Sequence, residues 1–160
     1  MFISLITLLF VLFVTSAFSF IKKEIKLSKG GCNLKASQIY WRWLLDEIKL
    51  SSKHAELHKI YPKDSCAVFC DLNNDGEDEI VATHYNTAKV GEGQCLLFVL
   101  QKVGDKYVKI SSDIYFDSLS EIFVMQEKNN GFRNLELKTL PDGEVRMLIF
   151  NKHKGLYVAE

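Results

Sequence analysis

The run Cys70-Asp71-Leu72-Asn73-Asn74-Asp75-Gly76-Glu77-Asp78-Glu79-Ile80-Val81 constrains the fold more than any other stretch of this chain. Short apolar segments at 66–70 and 79–84 flank an acidic connection, so the connection closes a hairpin. Inside it, oxygen-bearing side chains recur at alternate positions, Asp71, Asn73 and Asp75, and Gly76 follows where the chain must reverse. A hard cation is wrapped in this way. Ca²⁺ takes roughly six to eight oxygens, which a short loop supplies from alternating side chains and a backbone carbonyl. The expected set is the side chains of Asp71, Asn73 and Asp75, the carbonyl of Glu77 and the carboxylate of Glu79. Asn, Asp and Gly also favour metal-free turns. Against that reading, five carboxylates fall within residues 71–79 and would repel one another without a cation.

The rest of the composition narrows the class. A chain of 160 residues makes one domain of ordinary size. It carries 20 basic and 20 acidic residues, intermixed. Without a basic face, nucleic acid is excluded as a partner. Residues 1–20 hold no charged side chain and end near Ala17-Phe18-Ser19, small residues at the positions a signal peptidase reads. The expectation is a signal peptide at 1–19, a loose lysine-rich leader at 20–34 and a single domain at 35–160. About 20 apolar residues could also span a bilayer, so an uncleaved N-terminal anchor is the alternative. In both cases the domain is periplasmic or secreted, and after cleavage it has no membrane attachment.

Four cysteines, Cys32, Cys66, Cys70 and Cys95, suit an exported chain and predict two disulfides. On one strand, Cys66 and Cys70 would stand about 13 Å apart, beyond the roughly 7 Å a bridge allows. That pairing is disfavoured, and Cys32 is expected to tie the N-terminal segment to the sheet. A zinc site would need a CxxC pair, which the sequence lacks.

A helix is expected to begin near residues 35–37, with Trp41, Leu44, Leu45 and Ile48 as its buried stripe, flanked by Tyr40 and Trp43. A second short helix at 54–61 would end at Pro62. From Ser65 onward the pattern is that of strands, at 66–70, 79–84, 95–102, 107–111, 121–126, 135–138, 145–150 and 156–159. Turn signals separate them at Gly104-Asp105, Asn129-Asn130-Gly131 and Leu140-Pro141-Asp142-Gly143.

These strands show a faint internal repeat. Aligning Gly76 with Gly131 sets residues 74–81 against 129–136, and the segment from Phe98 to Tyr107-Val108 resembles that from Leu148 to Tyr157-Val158. The units cover about 66–111 and 121–160, each with roughly four strands. In the second, Gln126, Lys128 and Asn130 stand where the first has Asp71, Asn73 and Asp75, and Lys128 would repel a cation.

The pattern Asp71-x-Asn73-x-Asp75-Gly76-x-x-Glu79-Ile80-Val81 resembles the calcium loop of FG-GAP/VCBS-type repeats, the blades of integrin-like propellers. The wider order resembles small uncharacterised exported bacterial proteins with one such loop. The resemblance implies propeller-blade-like units and a loop calcium. Glu79 departs from the family's usual Asp, and two units cannot close a propeller, which needs about four or more. An EF-hand is excluded because its twelfth position, a bidentate Glu, is Ala82 here.

Other chemistry is sparse. His54 and His58 would share a helix face, but a catalytic zinc usually needs three protein ligands, and the order His-Ala-Glu-Leu-His is not HExxH. Asp113 and Asp117 could be a glycosidase pair, though solvated carboxylates are the better reading. The expected fold class is therefore α+β, with an N-terminal helix or helical hairpin packed on antiparallel sheet from two blade-like units. The expected function is a non-catalytic, exported binding protein with structural calcium and a protein partner. A more specific version is an inhibitor or immunity protein against an envelope hydrolase. No residue is assigned a catalytic role; the alternative is a small envelope hydrolase using His84 or the pair His54 and His58.

Overall fold

The computed structural model describes residues 23–25, 27, 31–47, 65–84, 94–117, 120–139 and 143–160. The expected signal segment and the second helix at 54–61 with His54 and His58 lie outside the described residues. Among the described residues no helix is long and apolar enough to cross a membrane. The described elements are one helix and ten strands, in keeping with α+β.

Helix α1, Leu34–Glu47, starts at a built cap. Asn33 Oδ1 accepts the Ala36 amide at 3.0 Å, satisfying one of the amides a helix start leaves unpaired. Its buried face is Ala36, Tyr40 and Leu44, with Trp41 and Trp43 half-buried. The stripe therefore centres on Tyr40 rather than Trp41. Small Ala36 lets the first turns approach the sheet, and Tyr40 then lies against Phe98, with ring centroids 5.3 Å apart.

Strands β1 (Lys23–Ile25), β2 (Ser65–Cys70), β3 (Glu79–His84), β4 (Gln94–Val103), β5 (Lys106–Lys109) and β6 (Ile114–Asp117) come first along the chain. They are followed by β7 (Glu121–Asn129), β8 (Phe132–Lys138), β9 (Val145–Asn151) and β10 (Leu156–Ala159). The first sheet is the antiparallel meander β2-β3-β4-β5, and β6 also pairs with β4. Ten residues of β4 are long enough for β6 to pair along Gln94–Leu97 and β5 along Leu100–Val103. The second sheet has the order β1-β7-β8-β9-β10. The leader is not wholly loose: Lys23–Ile25 pairs with β7, and Ile25 is buried among the apolar residues between the sheets.

Two apolar clusters stack the layers as helix, first sheet, second sheet. One joins α1 to Ala67, Ile80, Ala82, Phe98 and Leu100. The other lies between the sheets and holds Leu72, Val81, Leu97, Val99, Ile122, Val124, Leu135, Leu137, Leu148 and Tyr157. The repeat alignment gains a spatial meaning here. Ile80, Ala82, Phe98, Leu100 and Tyr107 belong to the helix side of the first sheet. Their aligned counterparts Leu135, Leu137, Leu148, Phe150 and Tyr157 belong to the cluster between the sheets. The second meander thus turns toward the first the same side that the first turns toward the helix.

The sulfur chemistry meets expectation in one bridge and departs from it in the other. Cys32 and Cys66 form a disulfide across 34 residues of sequence, tying the start of α1 to the edge of β2. Beside it, the Asn33 amide donates to the Ala67 carbonyl at 2.8 Å, and the Ala67 amide donates to Ser37 Oγ at 3.1 Å. Cys70 and Cys95 are buried thiols instead of a second bridge. The register explains why. Cys70 lies opposite Glu79 at one end of β3, and Leu96 lies opposite His84 at the other. Some six residue rises, roughly 20 Å, separate the two thiols along the sheet, and β3 runs between them.

Candidate metal centre

Residues 71–78 join β2 to β3, whose pairing runs in register from Ser65 opposite His84 to Cys70 opposite Glu79. The alternation of the strand carries on into the loop. Leu72 is fully buried between the sheets, while its neighbours Asp71 and Asn73 are half-buried at the rim. The loop is shaped by side chains that accept its own amides. Asp71 Oδ1 accepts from Asn74 N at 2.6 Å and Oδ2 from Gly76 N at 3.3 Å. Asn73 Oδ1 accepts from Asp75 N at 2.9 Å, and Asp75 Oδ1 from Glu77 N at 2.7 Å. Asn74 and Gly76 take the left-handed backbone, φ 64° and 86°, which Asn and Gly enter more readily than other residues.

At the centre, the Asn73 side-chain amide donates to Asp75 Oδ2 at 2.7 Å and to Glu79 Oε1 at 3.2 Å. The other oxygen of Glu79 accepts the Leu72 amide at 2.8 Å. Glu79 is buried, and burial pushes its carboxyl up to about 7 from the ordinary 4.5, with the nearby charges of Asp75 and Asp71 adding to the rise and the Leu72 hydrogen bond opposing it. Among the described residues no Lys or Arg pairs with it. One NH₂ group, a positive dipole, thus bridges two carboxylates where a cation would sit.

Whether the donors fit Ca²⁺ follows from their chemistry. Asp71, Asn73, Asp75 and Glu79 are oxygen donors of one short segment, the ligand type a hard cation takes. The Glu77 side chain points away and pairs with Lys102 Nζ at 3.2 Å, so its contribution would come from the carbonyl. Among the described residues no group of three or more His, Cys, Asp or Glu is gathered as a ready-made metal site. Asp71, Asp75 and Glu79 are thus not converged on one point, and Asp71 turns both its oxygens to the loop's own amides. Asn73 would have to turn its Oδ1 inward; its present orientation is set by hydrogen bonds alone. The donor types suit Ca²⁺, and holding it would require these side chains to converge.

The aligned turn in the second sheet has no such chemistry. Asn130 and Gly131, φ 52° and 91°, make a two-residue hairpin between β7 and β8. Gln126 and Lys128 are exposed, and the Asn130 amide donates to the Phe150 carbonyl at 2.8 Å. Lys128 Nζ reaches across to the Asn73 carbonyl at 3.4 Å.

The other candidates are scattered. His84 is buried, and its Nδ1 lies 2.9 Å from Ser65 Oγ, a cross-strand pair that the sequence reading did not assemble. Asp113 pairs with Lys109, and Asp117 stands opposite Gln94 on β6. The reading from sequence also missed the role of Leu72. Its one available signal was that Leu72 is the sole apolar residue among polar neighbours at 71–78.

Comparison of the chain with protein-family models, with curated proteins and with solved structures finds no match.

Proposed function

We propose that this chain is an exported, non-catalytic binding protein whose 71–79 loop holds a structural Ca²⁺. Asp71, Asn73 and Asp75 would ligate through side chains, Glu77 through its carbonyl and Glu79 through its carboxylate. The observation that carries the metal reading is the buried Glu79 carboxylate, which shares the Asn73 amide with Asp75 and, among the described residues, has no basic side chain against it. Burying an ionised carboxylate is costly unless a charge or several donors compensate it. A cation at that point would offset the cost and the repulsion among Asp71, Asp75 and Glu79 together.

The export reading rests on the apolar start of the sequence, and the Cys32–Cys66 bridge agrees with it, since disulfides persist outside the cytosol. The blade-like reading of the two meanders is supported by the matched residues, which place equivalent sides facing the same direction through the stack. The partner is proposed to be a protein met by the sheets or their loops, with blockade of an envelope hydrolase as the specific form. The Ser65–His84 pair is what favours the alternative, a small envelope hydrolase; turnover abolished by His84→Ala would establish it.

The metal reading is tested by melting the purified protein in calcium and in EDTA. Calcium at a hundred times its Kd should add about 2.7 kcal/mol of stability. Asp75→Ala should lose that increment. Equal melting temperatures with and without calcium would remove the metal from the proposal.

A further inference from the structure

The backbone of Leu72 is held on both sides of its Cα. Its amide donates to Glu79 Oε2 at 2.8 Å, inside the loop. Its carbonyl accepts the Arg133 amide at 2.7 Å, from β8 of the other sheet. The connection continues beyond Arg133, whose carbonyl accepts the Tyr157 hydroxyl at 2.7 Å. Tyr157 is fully buried, its amide donates to the Ile110 carbonyl at 2.7 Å, and its carbonyl accepts the Ser112 amide at 2.9 Å. From there Ser111 Oγ accepts the Val99 amide at 3.1 Å, back in β4 of the first sheet. Hydrogen bonds therefore run from the loop, through β8 and β10, and return to the sheet they left.

We infer that the Leu72 backbone is a latch coupling the order of the 71–79 loop to the docking of the second sheet, so that a cation bound at the loop is felt at β8 and β10. The cation half of this statement rests on the calcium reading above; the latch itself stands on the hydrogen bonds and on the burial of Leu72. The Leu72 side chain fills the space between the sheets while the side chains on either side of it shape the loop. The two bonds flank one Cα whose side chain is locked between the sheets, so a rearrangement of the loop that turns Leu72 strains both. Buried amides left without partners are costly, which ties the order of the loop to the contact with β8.

Amide exchange on the full chain, followed by NMR in calcium and in EGTA, tests the coupling, with calcium binding measured separately by calorimetry. Calcium is expected to slow exchange at the Arg133 and Tyr157 amides by about ten-fold or more. In Tyr157→Phe, which cuts the circuit beyond Arg133, the slowing at residue 157 should vanish while calcium binding persists. If calcium binds but exchange slows only within residues 71–79, the latch is overturned and the calcium reading survives. If calorimetry detects no binding, the calcium reading fails, and the latch is judged on Glu79→Leu in metal-free buffer. That substitution keeps the bulk and removes the acceptor for the Leu72 amide. Exchange at Arg133 should then accelerate by about ten-fold; unchanged exchange would overturn the latch as well.

Discussion

The two meanders turn from their first strand to their second in different ways. Between β2 and β3 the chain spends residues 71–78, folds Asp71, Asn73 and Asp75 back onto its own amides, and buries Leu72 and Glu79. Between β7 and β8 it spends only Asn130 and Gly131. Both turns contain a glycine with φ near +90°, 86° at Gly76 and 91° at Gly131. Ordinary L residues avoid that region, so the shared glycine marks where the backbone must reverse. The longer connection turns a reversal into a loop of oxygen side chains bonded to its own amides, at the cost of a buried carboxylate. In the second turn, Lys128 occupies the position aligned with Asn73 and touches the carbonyl of Asn73 itself. One meander carries the candidate chemistry, and the other supports it.

Sulfur divides the halves in the same way, because all four cysteines precede the second meander. The largest expected effect follows from this. Reducing the Cys32–Cys66 bridge releases a loop of 34 residues, worth about 4 kcal/mol by chain entropy. Urea unfolding with and without dithiothreitol measures it. Amide exchange should rise first at α1 and β2, where the bridge is anchored, and least in β8 and β9. Thiol titration checks the pairing. Burial pushes the Cys95 thiol up to about 11, so native protein should resist alkylation at pH 8. Urea without reductant should expose two thiols; no reactive thiol under those conditions would mean a second bridge.

A smaller effect separates the two turns by pH. In calcium-free protein the folded-state carboxyl of Glu79 titrates at about 7, above its ordinary 4.5. The folded chain therefore holds this proton more tightly than the unfolded one. Stability from Glu79 is full below about pH 4.5 and is lost as pH rises through about 7. Calcium needs the ionised form, so its stabilisation should grow over the same range. Glu79→Gln should flatten both trends, whereas Lys128→Gln in the second sheet should leave them in place. A calcium-free pH profile identical in wild type and Glu79→Gln would show that the buried carboxylate does not govern the loop.

Much of the sheet was legible because strand length, alternation and turn residues are local. The pairs from Ser65 and His84 to Cys70 and Glu79 follow from one hairpin, and Asn130-Gly131 names its own turn. The residues that shape the loop were equally legible, since Asp71, Asn73 and Asp75 lie at alternate positions of one short segment and each accepts a loop amide. Long-range contacts were not. Nothing local at Leu72 says that its carbonyl meets Arg133, or that Tyr157 closes the circuit from 85 residues away in sequence. Tyr40 displaced Trp41 on the helix because small Ala36 and the Phe98 ring across the interface decide which face packs closest. The second disulfide failed for a similar reason: counting cysteines does not show that β3 separates Cys70 from Cys95. β1 was hidden because three residues of a charged leader gain their stability only from Ile25 entering a core built much later in the chain.

The smallest expected effect tests the glycines that the two turns share. A Cβ at Gly76 or at Gly131 would meet no atom within 4 Å, so substitution costs only the left-handed backbone, about 1–2 kcal/mol. Gly131→Ala should lower the melting temperature equally with and without calcium, since that turn offers no donor set. Gly76→Ala should cost about the same in EDTA but more in calcium, because strain at residue 76 also displaces the Asp71 carboxylate that accepts its amide. The difference between the two variants, measured as the change in calcium-induced melting shift, isolates what the longer loop adds to a simple reversal. If both variants lose the calcium shift to the same extent, the loop does not act as a separate unit, and the contrast between the two meanders reduces to connection length.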